Sequence, residues 1–83
     1  MSEWSVYILK CKDDSYYTGI TNDLKKRIAD HESGNGAKYT RGRGPLTLMH
    51  TETFENRSAA SKREFEIKKL SRPEKELLIT PDL

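Results

Sequence analysis

Apolar and polar positions alternate from the start of the chain. Ser5-Val6-Tyr7-Ile8-Leu9-Lys10-Cys11 and Ser15-Tyr16-Tyr17-Thr18-Gly19-Ile20 are two short β-prone runs either side of a polar break, Lys12-Asp13-Asp14. In the first run Trp4, Val6 and Ile8 share one face, while Ser5, Tyr7, Leu9 and Cys11 share the other. The period is two and the polarity contrast small, so cover is expected on both faces. Asp-Asp-Ser closes turns by bonding its own backbone, and the two runs read as a β-hairpin. Such a hairpin brings Tyr7 and Tyr17 side by side on adjacent strands. Gly19 removes a side chain where another backbone or a ligand comes close.

The pattern then changes to a helical one. Leu24, Ile28 and His31 fall at i, i+4 and i+7. Thr21 or Asn22 is the expected cap, Asp23 suits the positive end of the dipole, and Gly34 suits the position after the helix. Arg27 and His31 are four apart and stack on one side of this helix. Residues 35–45 carry glycines and a closing proline, which exclude a helix. Leu46 to Glu52 reads as a third strand, paired with the first. A longer helix runs from Asn56 or Ser58 to about Leu70, its inward stripe traced by Ala60, Glu64, Ile67 and Leu70. Ser71-Arg72-Pro73-Glu74 is a capping box for a short last helix, in which Leu77, Leu78 and Ile79 close the core. The order is β-β-α-β-α-α: an α+β fold with a small three-stranded antiparallel sheet flanked by helices.

With 83 residues, 34% hydrophobic and 34% charged, the chain supports one domain, residues 1–83, with a modest core. Its net charge of +2 decides little, so the distribution has to. Lys38, Arg41 and Arg43 lie in a stretch without acids, interleaved with Tyr39. That composition suits a loop lying along a phosphate backbone; the alternative is a solvated connector. Residues 57–72 carry six cations, among them Lys68, against Glu64 and Glu66. Cys11, the only cysteine, excludes an intrachain disulfide and fits a cytoplasmic setting. No apolar run approaches the ~18 residues of a membrane span, and no signal-peptide pattern opens the sequence.

Glu64 is the anomaly, because a carboxylate inside an apolar stripe calls for a partner or a cation. Its alternatives are a salt bridge to Arg27 or Lys68, or a metal ion. A single carboxylate suits Mg²⁺, which keeps most of its waters, and argues against a two-metal site. Arg27 offers a planar fork for a phosphate oxygen.

Val6-Tyr7, Tyr17-Thr18-Gly19, Arg27, His31 and Glu64 together resemble the motif set of the GIY-YIG nuclease superfamily. The resemblance covers nearly the whole chain and is nearest to small bacterial single-domain members, similar to the catalytic module of structure-selective endonucleases. It implies a metal-dependent endonuclease that hydrolyses DNA phosphodiester bonds, of use in DNA repair, with RNA left open as substrate. Tyr7 is then the general base, Tyr17 its assistant, Arg27 the phosphate clamp, His31 a partner in the proton relay, and Glu64 the ligand of one Mg²⁺ or Mn²⁺. Lys38, Tyr39, Arg41, Arg43 and Lys68 are the expected nucleic-acid contacts. A free tyrosine has a pKa of ~10, so only about one in a thousand is phenolate at neutral pH, and its neighbours must lower that value or take the proton onward. Ser5 stands in place of the family's usual Gly and Thr18 in place of Ile. A later helical asparagine has no counterpart, which touches DNA positioning more than chemistry. Low intrinsic affinity is expected, with a protein partner or a weak homodimer supplying selectivity. The other reading is a non-catalytic nucleic-acid-binding or interaction module on the same fold. The catalytic reading expects all five residues to converge on one concave face.

Overall fold

A computed structural model describes residues 3–34, 42 and 44–79. The hairpin forms as the alternation requires: β1 is Trp4–Lys10 and β2 is Tyr16–Thr21. Its turn is held by Asp13 Oδ1, which accepts from the Ser15 N–H at 3.2 Å, with Asp14 in the left-handed region at φ 67°. β3, Thr47–Phe54, pairs antiparallel with β1, giving the strand order β2-β1-β3. The β1–β3 register slips between Ile8 and Leu9: Ile8 faces His50 and Leu9 faces Leu48, so Met49 is the extra residue of a bulge. Beyond the bulge His50, Glu52 and Phe54 lie opposite Ile8, Val6 and Trp4.

Each face of the sheet has its own core. Val6 and Ile8, fully buried, pack with Ala60 and Ile67 of α2 (Arg57–Lys68), and Leu78 and Ile79 of α3 (Arg72–Ile79) pack against them. On the other face Tyr7, Leu9, Cys11 and Leu46 form a second cluster, joined by Leu24 and Ile28 of α1 (Leu24–Glu32). The weak polarity contrast of β1 therefore has its reason: α1 covers one side, α2 and α3 the other. Leu77 departs from the expected core, standing 79% exposed on the outer side of α3.

The caps fix where the helices begin. Asp23, not Thr21 or Asn22, is the N-cap of α1, accepting from the Lys26 N–H at 3.2 Å. Thr21 Oγ1 accepts from the Asp23 N–H at 3.0 Å and so locks the step from β2 into the helix. Gly34, at φ 87°, ends it. Asn56 caps α2, and Ser71 with Glu74 forms the expected capping box of α3, the Ser71 N–H donating to Glu74 Oε1 at 2.9 Å. A clip ties α2 to the edge strand: Arg63 donates twice to Glu52, at 2.8 and 3.1 Å, and His50 Nε2 lies 2.7 Å from the same carboxylate. No helix among the described residues is long and apolar enough to cross a membrane.

Candidate active site

The site starts from the hairpin register. Tyr7 pairs with Gly19, and Leu9 with Tyr17, so the two tyrosines are diagonal neighbours on one face and not directly opposite. Their ring centroids are 6.3 Å apart. The space left by Gly19 is taken by the Tyr7 phenol itself: a Cβ at Gly19 would stand 2.6 Å from the Tyr7 Oη and 3.0 Å from the Tyr17 ring. Gly19 therefore lets the Tyr7 ring lie flat over β2 and aims its hydroxyl toward that edge.

α1 brings the next two groups. His31 is buried, its ring centroid 5.2 Å from Tyr17 and 5.7 Å from Tyr7, and its Nε2 lies 2.8 Å from the Tyr7 hydroxyl. One turn earlier on the same helix side, the Arg27 guanidinium stands beside that hydroxyl. Burial pushes the Tyr7 pKa up to about 12 against the pull of Arg27, so the phenol is protonated at neutral pH. Burial, and then the Arg27 charge, hold His31 below its ordinary value, so its imidazole is neutral. A guanidinium can only donate, so the Tyr7 oxygen faces a donor on one side and the imidazole on the other. With the His31 proton on Nδ1, the hydroxyl donates to Nε2 across this 2.8 Å contact while accepting from Arg27.

Glu64 reaches this group differently from the other four. Tyr7, Tyr17, Arg27 and His31 gather on one face of the sheet, whereas Glu64, expected on that same face, stands on α2, which packs on the opposite face; the convergence of all five residues on one concave face is corrected to four. With residues spaced by about 100° round a helix, Arg63 and Glu64 flank the buried Ala60–Ile67 line by about 50° on either side. Arg63 is tied to Glu52 on β3, so Glu64 leans to the β2 side, where the Tyr7 hydroxyl is aimed. The Glu64 charge is felt at Tyr7, raising its pKa further. Glu64 Oε2 also makes an ion pair with Lys68 Nζ at 3.0 Å. Lys68, expected to meet nucleic acid, thus borders the site from the next turn of α2, its side chain 53% exposed. Lys38, Tyr39, Arg41 and Arg43 lie outside the described residues.

A single carboxylate with water is a donor set that suits a hard cation. Among the described residues no three His, Cys, Asp or Glu side chains gather, so an ion here would rest on Glu64 and water. Sequence reasoning placed Thr21 and Asp23 at the head of α1 with their roles exchanged, and it missed Glu52 with Arg63 at the edge of α2. Asp23, a good N-cap residue just before Leu24, was a readable capping signal; the Glu52–Arg63 pairing needs the β3 register and was not.

Comparison with known proteins finds matches over most of the chain. The family model described as the GIY-YIG catalytic domain matches residues 3–77. A UPF0213 protein of Clostridium perfringens is 61% identical over 75 residues, 90% of this chain and 81% of that protein. One from Halobacterium salinarum is 56% identical over 73 residues, 88% of this chain and 95% of that protein. The solution NMR structure of a UPF0213 protein from Bacillus halodurans superposes with a TM-score of 0.61 at 53% identity, covering 93% of this chain and 82% of the other. A solution NMR structure from E. faecalis gives 0.64 at 43% identity, with 94% and 86% covered.

Proposed function

The chain belongs to the GIY-YIG catalytic-domain family, and on that premise we propose that it is a metal-dependent endonuclease that hydrolyses phosphodiester bonds in DNA. The observation that carries this reading is the Tyr7 hydroxyl poised between Arg27 and His31 Nε2 at 2.8 Å. A phenol with its pKa near 12 is a poor standing base, but it does not have to ionise beforehand. As the Tyr7 oxygen takes a proton from the attacking water, its own proton passes to Nε2 of the neutral His31. No free phenolate is needed: the positive charge appearing on the imidazole balances the negative charge that the water oxygen carries into its new bond to phosphorus. The P–O bond to the departing sugar oxygen breaks, and that oxygen takes up a proton from solvent. Arg27 clamps a non-bridging phosphate oxygen and stabilises the charge that grows there. Tyr17, diagonal to Tyr7, orients the phosphate beside the water.

Glu64 would hold one Mg²⁺ or Mn²⁺, which when bound supplies Lewis-acid stabilisation of the phosphoryl charge. The 83 residues act as one domain, and DNA is its partner, with RNA as a competing substrate. A burial of 3% exposure for the free Cys11 thiol suits a reducing, cytoplasmic compartment. One observation favours the second reading, a non-catalytic binding module: Lys68 already neutralises Glu64. The test is purified protein with Mg²⁺ or Mn²⁺ on labelled branched, flapped and linear substrates, beside Tyr7→Phe. Cleavage by the parent and loss of it in Tyr7→Phe, with binding retained, supports the nuclease; binding without cleavage of any substrate supports the module.

A further inference from the structure

The two flanks of α2 carry different electrostatics. On the β3 side the acids are neutralised internally, since Arg63 holds both Glu52 and, at 3.2 Å, Glu66. Going round from Glu64 on the β2 side, at about 100° per residue, come Lys68 and Phe65 and then, on the back of the helix facing away from the sheet, Lys69 and Lys62. Only Lys68 of these cations has an acid partner among the described residues, and that partner is Glu64 itself. Phe65 stands on this flank 61% exposed, with Lys69 Nζ 4.3 Å from its ring centroid.

An exposed phenylalanine on an otherwise charged helix face costs solubility and does nothing for the core behind it, which Ala60 and Ile67 fill. Every base has a π-face, so an aromatic ring beside unneutralised ammonium groups suits unpaired nucleotides: the ring stacks a base and the lysines meet the flanking phosphates. Base pairs inside a duplex are stacked on both sides and offer no free face to the ring. Resting on the nuclease reading above, we infer that this flank of α2 binds the single-stranded part of the substrate. Phe65 stacks an unpaired base and Lys62 and Lys69 hold its phosphates, so the preferred substrate carries a single strand next to the scissile bond.

The test is fluorescence anisotropy in EDTA with a labelled oligo-thymidine strand and a blunt duplex of equal length. Phe65→Ala is expected to weaken single-strand binding about tenfold and leave duplex binding and the salt slope unchanged, while Phe65→Tyr restores the affinity. Lys62→Gln with Lys69→Gln should flatten the slope of log K against log salt on the single strand by about 0.7 per lost contact. Phe65 is exposed, so an unchanged melting temperature separates these effects from misfolding. Equal binding by Phe65→Ala and parent, or equal loss on both ligands, overturns the inference. A protein that binds single strands through Phe65 but cuts nothing sinks the nuclease reading alone; one that cuts but is indifferent to Phe65→Ala sinks this inference alone.

Discussion

The Tyr7 ring occupies the place where a side chain of Gly19 would be: the hydroxyl lies 2.6 Å and Cζ 2.8 Å from the position of a Cβ there. Both residues are buried, so neither atom can swing into solvent. Gly19→Ala must therefore push the phenol off its line to His31. The expected result is a destabilisation of about 1–3 kcal/mol from overpacking, with cleavage falling at least a hundredfold because the proton path is misdirected. Thermal melts combined with a double-mutant cycle check this. Placed in a Tyr7→Ala background, Gly19→Ala should cost far less, and an undiminished cost there would show that the clash is with something else.

Glu64→Gln separates a catalytic carboxylate from a structural one. The pair with Lys68 is an i,i+4 helix pair with the lysine half exposed, a class worth about 0.3–0.5 kcal/mol. The variant should therefore melt within a degree or two of the parent, while activity in Mg²⁺ falls by orders of magnitude. Calorimetry of Mn²⁺ binding gives the independent readout: the variant should lose binding that the parent shows. If Glu64→Gln unfolds the protein, the carboxylate is a structural element and the metal assignment fails.

Glu52 is expected to behave in the opposite way. Its carboxylate accepts twice from Arg63 and faces His50, at 25% side-chain exposure. Burial alone would raise its pKa, but the bonds from Arg63 and His50 win and hold it below the usual value. A depressed carboxyl contributes stability above its unfolded pKa near 4.5, lost as pH falls through the folded value. Glu52→Gln should thus cost about 1–2 kcal/mol at neutral pH, and its stability should fall less steeply than the parent's below pH ~4.5. Denaturant melts from pH 7 to 3 read both effects, and parallel curves for the two proteins would refute the linkage.

Much of this arrangement could be read before the structure was known. Period two in β1, the Asp-Asp-Ser turn, the capping box at Ser71 and the Arg27–His31 spacing are local signals, and each sets the structure within a few residues of itself. What escaped was non-local. Whether Tyr7 faces Tyr17 or Gly19 depends on a two-residue shift of hairpin register, which leaves every side chain on its own face and so is not fixed by sequence alternation. Of the expected α2 stripe Ala60 and Ile67 are buried, yet nothing in it says which face of the sheet it covers, so Glu64 was expected on the face of Tyr7 and instead stands on the helix that covers the other one. The slip at Met49 has the same character, because a bulge is visible only against its partner strand.

The last prediction concerns His31, where rate and stability share one titration. Burial and Arg27 lower its pKa in the folded protein, whereas the unfolded chain has the ordinary value near 6.5. Below pH ~6.5 the unfolded state binds the extra proton first, so stability is full above that pH and falls as the medium is acidified toward the folded value. The proton relay needs the same neutral imidazole, so the acid limb of kcat/KM should bend below pH 6.5, at the depressed folded value. His31→Gln removes both effects. Its stability should be flatter below pH ~6.5, and activity at pH 7 should fall about 10²–10⁴-fold, as for loss of a general base. With no acceptor for its proton, Tyr7 must then act as phenolate, so the residual rate should climb about tenfold per pH unit from 7 to 9. Paired pH–rate and pH–stability profiles of the two proteins make the comparison. An acid limb that survives unchanged in His31→Gln would assign the titration to another group and leave His31 as packing against the tyrosines.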